Sequence, residues 1–261
     1  GAYNMTAQLP ADVRRRGVIT YSSGNHGLAL ACAARRLGVT AVIVMPTTAP
    51  PVKVDGARRY GAEVIFEGTT IVHRRARAEA EAAARRLTIV PPFDHEWIIA
   101  GQGTIGLEIL DQCPDVTTIY VQVGGGGLIS GISAAVKRLK SSVRIIGVEP
   151  AGAPKMSTSL RAGHPITLDR VETIADGLTT VRPGDVTFPH VQALVDEIVQ
   201  ADDAATIEAL RWLFREARLV VEPSGAVTVA AARARGVSGT TVAVLSGGNV
   251  EPSAYARYLA G

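Results

Sequence analysis

The sequence predicts an α/β fold built on parallel β-sheet, and three observations support this prediction. Short β-branched runs alternate with helical segments along the chain, which is the order typical of βαβ units. With 261 residues and 47% hydrophobic content, the chain can bury either one large core or two lobes that share a cleft. Residues 91–94, Pro-Pro-Phe-Asp, interrupt the pattern and indicate a boundary between two lobes.

The first part of the chain has a regular strand–helix order. β-Branched runs predict strands at 18–21, 41–45, 62–66 and 88–90. Helical spacing predicts helices at 28–37, 52–60 and 72–87. The apolar residues expected on the buried face of the last helix are Val72, Ala76, Ala80, Ala83 and Leu87. Residues 2–9 also have helical spacing but no capping residue before them, so we expect the native chain to begin upstream of Gly1.

The second part continues the same order with longer connections. Strands are predicted at 117–123, 143–148 and 240–245, and helices at 101–112, 128–139 and from Asp202 or Asp203 to Ala217. Another helix is expected to open at the segment 220–225. The region 152–185 is rich in Gly, Pro and Thr and is predicted to be largely loop.

Four consecutive glycines, residues 124–127, separate a predicted strand from a predicted helix. Four glycines in a row carry a large chain-entropy cost, which indicates a backbone that must approach something closely. The free N–H groups of the first helical turn and the helix dipole favour an anion there, most simply a phosphate. A flexible surface loop is the alternative, but the flanks are apolar and periodic. No Lys-Ser/Thr follows the glycines and their spacing is not that of dinucleotide folds, so the pattern points to a phosphorylated cofactor.

A second polar turn follows the first predicted strand. Residues 22–27, Ser-Ser-Gly-Asn-His-Gly, place hydroxyls, an amide and an imidazole at the start of a helix. Such a turn can hold a carboxylate through backbone N–H groups and Ser or Asn side chains. An ordinary helix N-cap is the alternative interpretation.

Composition and charge argue against several classes of partner. The net charge is only +3, and arginine pairs such as Arg35-Arg36 are typical of solvated helix faces rather than of a nucleic-acid surface. Cys32 and Cys113 are far apart and lack metal-site spacing, so neither a disulfide framework nor a metal site is expected from them. No apolar run reaches membrane-spanning length. We expect a cytoplasmic enzyme that binds neither nucleic acid nor membrane.

Five motifs in order resemble the fold-type II pyridoxal-phosphate enzymes, in particular the threonine/serine dehydratase and serine racemase branch. They lie at residues 22–27, 99–104, 124–127, 222–226 and 246–249. The resemblance implies a tryptophan-synthase-β-like fold, with two lobes of mostly parallel twisted sheets flanked by helices and a cofactor cleft between them. It implies a small domain at 17–94 and a large, N-terminally truncated domain made of 1–16 and 95–261.

The resemblance also implies pyridoxal 5′-phosphate as cofactor and assigns residues to it. The residues that would hold the phosphate are Gly124, Gly125, Gly126, Gly127 and Leu128, the last through its N–H. Gly177 and Glu222 would border the cofactor ring, and Ser246 would face the pyridine nitrogen. A neutral hydroxyl at that position makes the ring a weaker electron sink than an aspartate would, which favours β-elimination over transamination.

The resemblance implies that the turn at 22–27 binds the substrate. Asn25 would bond the 3′-oxygen of the cofactor, and Ser22, Asn25 and His26 would line the loop that holds the substrate carboxylate. Ser23 is the candidate catalytic hydroxyl, because a serine here could protonate the opposite face of the α-carbon.

The chain departs from the family pattern at two places. Gly1-Ala2 resembles the end of a Ser-Phe-Lys-x-Arg-Gly-Ala run, so the Schiff-base lysine is expected three residues before Gly1, and none of the four lysines present matches it. At the divalent-cation site of racemase-like members, the chain has Glu149, the carbonyl of Ala153, and Lys155 where an acid is expected. An ammonium repels a cation. We therefore expect no metal, and hypothesise that Lys155 pairs with Glu149 in its place. An exposed loop lysine is the alternative.

The resemblance implies β-elimination, that is dehydration and deamination, of a 3-hydroxy amino acid such as L-threonine or L-serine. The products would be a 2-oxo acid and ammonia, with the upstream lysine as general base. Serine racemase is the alternative enzyme, although Pro92-Phe93-Asp94 is more similar to the dehydratase pattern. A sulfur-transferring synthase is less similar, and a catalytically inactive binding module is expected only if the native gene lacks the lysine. A homodimer is expected by resemblance.

Overall fold

The computed structural model describes residues 1–22 and 24–260. The chain divides into two compact units, Gly1–Pro92 and Phe93–Gly261. Each unit contains a four-stranded sheet whose paired strands are all parallel, with helices packed on the sheet. The α/β fold class with two parallel sheets is therefore confirmed.

The first unit is built on a sheet of strand order β3-β2-β1-β4. Its strands are β1 Val18–Thr20, β2 Ala41–Met45, β3 Glu63–Phe66 and β4 Thr88–Ile89. Its helices are α1 Ala2–Gln8, α2 Ala11–Arg16, α3 Asn25–Leu37, α4 Pro51–Arg59 and α5 Ile71–Arg85. The chain leaves β1 through α3 toward β2, while β4 pairs with the other edge of β1. The topological switch point of this sheet therefore lies between β1 and β4.

The N-terminal residues belong to the first unit. Helix α1 packs against α3 and buries Ala2, Met5 and Thr6. The structure thus groups residues 1–16 with the first unit, whereas the sequence-based assignment places them with the large domain. The boundary between the compact units lies close to the expected one at 94/95. The division of the whole protein into domains stays a prediction.

The second unit has the same strand arrangement, in the order β7-β6-β5-β8. Its strands are β5 Val116–Gln122, β6 Arg144–Pro150, β7 Glu197–Ala201 and β8 Thr240–Ala243. Its α-helices are α6 Glu96–Gln112, α7 Gly127–Leu139, α8 Lys155–Ala162, α9 Thr187–Leu194, α10 Asp203–Ala217, α11 Pro223–Arg235 and α12 Pro252–Ala260, and a 3-10 turn spans Asp176–Leu178. The switch point of this sheet lies between β5 and β8.

The two faces of the second sheet belong to different hydrophobic clusters. Tyr120 on β5 packs in a cluster with residues of α10, α11 and α12. Its neighbours Ile119 and Val121 pack on the opposite face with α6, α7 and α9. Because side chains alternate along a strand, Gln122 lies on the same face of β5 as Tyr120, at the carboxyl end of the strand.

Two expectations about secondary structure were wrong. Residues 155–162, placed in a predicted loop, form α8, because the distant carboxylate of Glu149 accepts hydrogen bonds from the N–H groups of Met156 and Ser157. Of the residues expected on the buried face of the helix at 72–87, Leu87 is buried as predicted, but Val72 is 70% exposed and Ala76, Ala80 and Ala83 are exposed as well. Within α5 the buried residue is Ala78. Alanines occur on several faces of α5, so spacing alone could not identify the buried one.

In the part of the chain that the structure describes, no helix is long and apolar enough to span a lipid bilayer. Cys32 and Cys113 are both free thiols.

Candidate active site

The glycine loop connects the carboxyl end of β5 to the start of α7. β5 ends at Gln122 and α7 begins at Gly127, with Gly126 as its N-cap in the left-handed region, at φ +102°. The first N–H groups of an α-helix have no carbonyl partner within the helix, so those at the start of α7 are available to a ligand. The predicted strand–loop–helix arrangement is confirmed.

Three of the four glycines are required by packing within the second unit. A Cβ at Gly125 would lie 2.4 Å from the ring of Phe93, and one at Gly127 would lie 2.8 Å from the Cβ of Phe93. A Cβ at Gly126 would lie 2.8 Å from the hydroxyl of Thr187. Phe93 and Thr187 therefore explain part of the glycine requirement that the sequence alone attributes to a ligand.

The carbonyl groups of the loop are held by residues of the same unit. The carbonyl oxygen of Val123 accepts a hydrogen bond from Lys155 Nζ at 2.9 Å. That of Gly125 accepts from Thr187 Oγ1 at 2.6 Å and from the N–H of Gly184 at 3.1 Å. No peptide bond among the described residues is cis. The N–H groups of Gly124 and Gly126 therefore point away from Lys155 and Thr187, because C=O and N–H are antiparallel in a trans peptide.

Lys155 is a fully buried cation at this loop. Its ammonium donates to the carbonyl oxygens of Val123 and Leu178, both at 2.9 Å. Burial lowers the pKa of Lys155 to about 8, and the negative charge of Glu149 partly opposes that shift. The alternative of an exposed loop lysine is wrong. Glu149 influences Lys155 through its charge while its carboxylate caps α8, and the substitution of Lys155 for a metal ion stays a prediction.

The 3-10 turn at 176–178 lies beside the glycine loop. A Cβ at Gly124 would be 3.5 Å from the carbonyl oxygen of Gly177. The N–H of Gly177 donates to Ser224 Oγ at 2.8 Å, which ties the turn to the start of α11. The residue before α11, Glu222, is buried, and its N–H donates to the carbonyl of Gly247 at 3.1 Å. These contacts link the segments of Gly124, Gly177 and Glu222 to one another within the second unit.

Ser246 lies at the switch point of the second sheet. Its hydroxyl oxygen accepts a hydrogen bond from Gln122 Nε2, which joins the carboxyl end of β5 to the segment that follows β8. Gln122 is only 3% exposed, and its Oε1 has no hydrogen-bond partner among the described residues. Gln122 is not among the site residues predicted from the sequence. The pattern that could have revealed it is a polar residue near the end of an otherwise apolar strand, two residues before a glycine run.

The polar turn of the first unit lies at the carboxyl end of β1, beside the switch point of that sheet. Ser22 Oγ accepts from the N–H of Gly24 at 3.3 Å. A Cβ at Gly27 would lie 2.2 Å from the carbonyl oxygen of Ser22, so a glycine is required there. Asn25 is the first residue of α3, and its N-cap is Gly24, which has no side chain to cap the helix. Ser23 lies outside the described residues.

His26 ties this turn to the neighbouring strand. Its Nε2 lies 3.0 Å from the carbonyl oxygen of Val90, the residue after β4, and therefore carries the hydrogen in that contact. Burial lowers the pKa of His26 to about 4, although the hydrogen bond to Val90 opposes that shift. At neutral pH the imidazole is uncharged. His26 thus contributes a fixed neutral side chain in the first turn of α3.

The predicted site residues fall into two groups. Most of the cofactor set, Gly124 to Gly127, Leu128, Gly177, Glu222 and Ser246, lies in the second unit, whereas Asn25, which was also assigned to the cofactor, lies in the first unit with Ser22 and His26. Their roles toward a cofactor or substrate stay predictions. Within the described part of the chain, no group of three or more His, Cys, Asp or Glu side chains could hold a metal ion.

Comparison with known proteins gives one family and close relatives. A family model described as pyridoxal-phosphate dependent enzyme matches residues 1–247. The chain is 43% identical over 254 residues to L-threonine ammonia-lyase of Geobacter sulfurreducens, covering 96% of this chain and 63% of that protein. It is 41% identical over 259 residues to serine racemase of Oryza sativa subsp. indica, covering 96% and 76%.

A solved structure has the same fold. The processed form of threonine deaminase isoform 2 from Solanum lycopersicum has a TM-score of 0.94 and 38% identity, covering 100% of this chain and 78% of that one. The chain spans less than two thirds of the length of several threonine dehydratase relatives that it matches.

Proposed function

Because the chain belongs to the family of pyridoxal-phosphate-dependent enzymes, we propose that the protein deaminates a 3-hydroxy amino acid, L-threonine or L-serine, by β-elimination of water followed by hydrolysis, which takes up one water and releases ammonia. The products are a 2-oxo acid and ammonia. The observation that carries the proposal is the glycine loop at the carboxyl end of β5, with its carbonyl groups held by Lys155 and Thr187. The similarity to L-threonine ammonia-lyase supports this reaction class.

The residues of the loop fit the phosphate of pyridoxal 5′-phosphate. The N–H groups of Gly124 and Gly126 point away from the residues that hold the neighbouring carbonyls, and the N–H of Leu128 lies in the first turn of α7. The N-terminus of this 13-residue helix carries a partial positive charge that favours an anion. The buried ammonium of Lys155 adds a full positive charge behind the loop.

The cofactor, when bound, supplies an electron sink for the α-carbon of an amino acid. Ser246 would then face the ring nitrogen, and Gly177 and Glu222 would border the ring. A hydroxyl has no charge with which to stabilise a protonated ring nitrogen, so the sink is weak. Such a site favours elimination of a β-hydroxyl, which needs less carbanion stabilisation than transamination does.

The turn at 22–27 would hold the substrate carboxylate in the first unit. It lies at the N-terminus of the 13-residue helix α3, where backbone N–H groups and the helix dipole favour an anion. Since His26 is uncharged at neutral pH, the donors to the carboxylate would be N–H and hydroxyl groups, together with the amide of Asn25. Neutral donors hold the substrate without adding a strong charge beside the α-carbon.

Serine racemase is the second candidate, because the chain is 41% identical to the enzyme of Oryza sativa subsp. indica. Ser23 would then deliver a proton to the opposite face of the α-carbon. Dehydration and racemisation use the same cofactor, and both begin with removal of the α-proton. They differ in the next step, which is loss of the β-hydroxyl in dehydration and return of a proton to the opposite face in racemisation. Product analysis separates the two functions.

The test uses the full-length protein with pyridoxal 5′-phosphate and either L-threonine or L-serine. The proposal expects 2-oxobutyrate or pyruvate and an equal amount of ammonia. D-serine without pyruvate would favour the racemase, and tight cofactor binding without either product would favour an inactive binding module. A full-length protein that neither binds the cofactor nor turns over substrate would refute the proposal.

The assembly and location of the protein are also proposals. A homodimer is supported by the family resemblance, and sedimentation of the full-length protein at twice its chain mass tests it. A cytoplasmic location and the absence of nucleic-acid partners stay predictions.

A further inference from the structure

Gln122 and Ser246 form a polar pair on the α11-facing side of the second sheet. Gln122 ends β5, and Ser246 follows β8, the strand that pairs with β5 on the side away from β6. Loops on the two sides of a switch point diverge, which leaves a crevice in which α/β proteins bind ligands. The Gln122 amide is buried here, and its oxygen is unpaired among the described residues. Burying an unpaired polar atom costs free energy, which suggests that the amide has the function of orienting its neighbour.

The orientation of the Gln122 amide determines whether the Ser246 hydroxyl accepts or donates in the hydrogen bond between them. With Nε2 toward Ser246, one acceptor oxygen of Gln122 is left unpaired. The opposite orientation would leave an NH2 group with two buried donors in place of that oxygen, which costs more. Gln122 is therefore the donor and Ser246 Oγ the acceptor. The hydroxyl hydrogen of Ser246 is then free for an acceptor other than Gln122.

We propose that Gln122 is a positioning residue that directs the Ser246 hydroxyl hydrogen to the cofactor ring nitrogen and so keeps that nitrogen unprotonated. The inference rests on the proposed function, in which Ser246 faces that nitrogen. An unprotonated nitrogen offers a lone pair to the hydroxyl. A hydroxyl that already accepts from Gln122 is polarised toward donation, so a protonated nitrogen, which would need the second lone pair of the oxygen, is disfavoured and would leave the hydroxyl hydrogen directed at no acceptor on the ring.

The proposal explains why an amide rather than an apolar side chain ends β5. Without Nε2, the hydroxyl of Ser246 could rotate and accept a hydrogen bond from a protonated ring nitrogen. Gln122 disfavours that arrangement, because its hydrogen bond takes one lone pair of the hydroxyl oxygen and makes the hydroxyl a stronger donor and a weaker acceptor. It thereby determines the strength of the electron sink through Ser246, without touching the cofactor itself.

The test uses 4′-deoxypyridoxine 5′-phosphate with a ¹⁵N-labelled ring, which has no aldehyde and binds without forming a Schiff base. The ring-nitrogen chemical shift is titrated with pH, free and bound. In the unmodified protein the bound nitrogen should stay neutral at pH values where the free ligand is protonated. In Gln122→Met its pKa should rise toward the free value by about one unit or more, while the dissociation constant changes less than about threefold.

Gln200→Met is the matched control, because Gln200 Nε2 also donates to a serine hydroxyl, Ser157 Oγ at 3.2 Å, on the exposed side of β7. This variant should titrate like the unmodified protein. A folded Gln122→Met protein that binds the ligand with an unchanged nitrogen pKa would overturn the inference. So would a protonated nitrogen in the unmodified protein at neutral pH, which decides the matter even if Gln122→Met does not fold.

Failure of the proposed function gives a different result. In that case the unmodified protein would not bind the phosphorylated ligand at all, and the inference would fall with the function. Binding with the wrong protonation state refutes only the role of Gln122.

Discussion

The ammonium nitrogen of Lys155 lies 2.9 Å from the carbonyl oxygen of Val123, the residue immediately before the glycine loop. The same ammonium lies 2.9 Å from the carbonyl oxygen of Leu178, next to Gly177. One buried cation thus fixes a peptide group on each of the two segments expected to border the cofactor. Carbonyl oxygens are also ligands of hard metal ions, so an ammonium with these partners can replace such an ion structurally.

Replacing Lys155 should weaken phosphate binding. Lys155→Met leaves the carbonyl groups of Val123 and Leu178 without their donor, and unpaired buried groups cost about 1–3 kcal/mol each. The Val123–Gly124 peptide can then rotate. We expect the affinity for 4′-deoxypyridoxine 5′-phosphate to fall about tenfold or more, measured by isothermal titration calorimetry.

Lys140→Met is the matched control for this prediction. Lys140 Nζ also donates to two carbonyl oxygens, those of Pro114 and Val116, but at the opposite end of β5. The Lys140→Met variant should bind the ligand as the unmodified protein does. Equal affinity of the Lys155 and Lys140 variants would show that the buried ammonium does not organise the loop.

Removal of divalent cations should leave the protein unaffected. By resemblance, Lys155 stands at the sequence position where metal-binding relatives carry an acidic ligand, and its positive charge would repel a cation there. Treatment of the protein with EDTA, followed by desalting, should change neither the proposed turnover of L-threonine nor the affinity for the phosphorylated ligand. A loss of activity that Mg²⁺ restores would contradict this expectation.

Gly126→Ala should be more destabilising than a glycine substitution at an open site. Gly126 has φ +102°, and an added Cβ would meet Thr187 Oγ1 at 2.8 Å. The left-handed conformation costs about 1 kcal/mol and the steric conflict about 1–3 kcal/mol more. Urea unfolding should therefore show a loss of about 2–4 kcal/mol in the free energy of unfolding.

Gly163→Ala separates the cost of the positive φ from the cost of the steric conflict with Thr187. Gly163 also has positive φ, +78°, but an added Cβ would meet nothing within 4 Å. This variant should lose only about 1 kcal/mol. If both variants lost the same amount, Thr187 would not limit the space beside the glycine loop.

His26 should make the stability of the protein fall in mild acid. The pKa of His26 is about 4 in the folded protein and 6.5 for an unperturbed histidine, so the unfolded chain binds a proton first as pH falls. The stability contribution is complete above pH 6.5 and is lost as pH falls through about 4. The side chain is half-buried, and we expect a loss of about 1–3 kcal/mol.

His26→Gln tests the assignment, because a glutamine amide can also donate to the carbonyl of Val90. Urea midpoints between pH 4 and pH 7 should fall less steeply for this variant than for the unmodified protein. Parallel pH profiles would mean that another group causes the acid sensitivity.

Much of the fold follows from local pattern in the sequence. β2 at Ala41–Met45 matches its predicted bounds because a short apolar run rich in β-branched residues and followed by Pro46 favours a strand. The Asp202 cap of α10 is also as expected, since its Oδ1 accepts from the N–H of Ala205 at 2.7 Å. Helix α8 was missed because Glu149, a residue on β6, caps it. Capping by a residue outside the helix leaves no local pattern.

The candidate site was likewise predictable only where local sequence determines the structure. The glycine run and the turn at 22–27 can be recognised because backbone chemistry there demands particular residues. The partners of that backbone cannot: Thr187 lies 62 positions from Gly125, and Gln122 lies 124 positions from Ser246. The partners of Lys155 were expected to be carboxylate oxygens, and they are carbonyl oxygens. Tertiary structure decides such contacts, and a single sequence does not record them.

The central claim is that the backbone amides of the glycine loop hold the phosphate of the cofactor, and amide NMR tests it most directly. Backbone ¹⁵N–¹H signals of Gly124, Gly126 and Leu128 are followed while either 4′-deoxypyridoxine 5′-phosphate or the same compound without its phosphate is added. We expect large shifts of these three signals with the phosphorylated compound and small ones with the other. Saturable binding of the phosphorylated compound that leaves these three signals unchanged would contradict the claim.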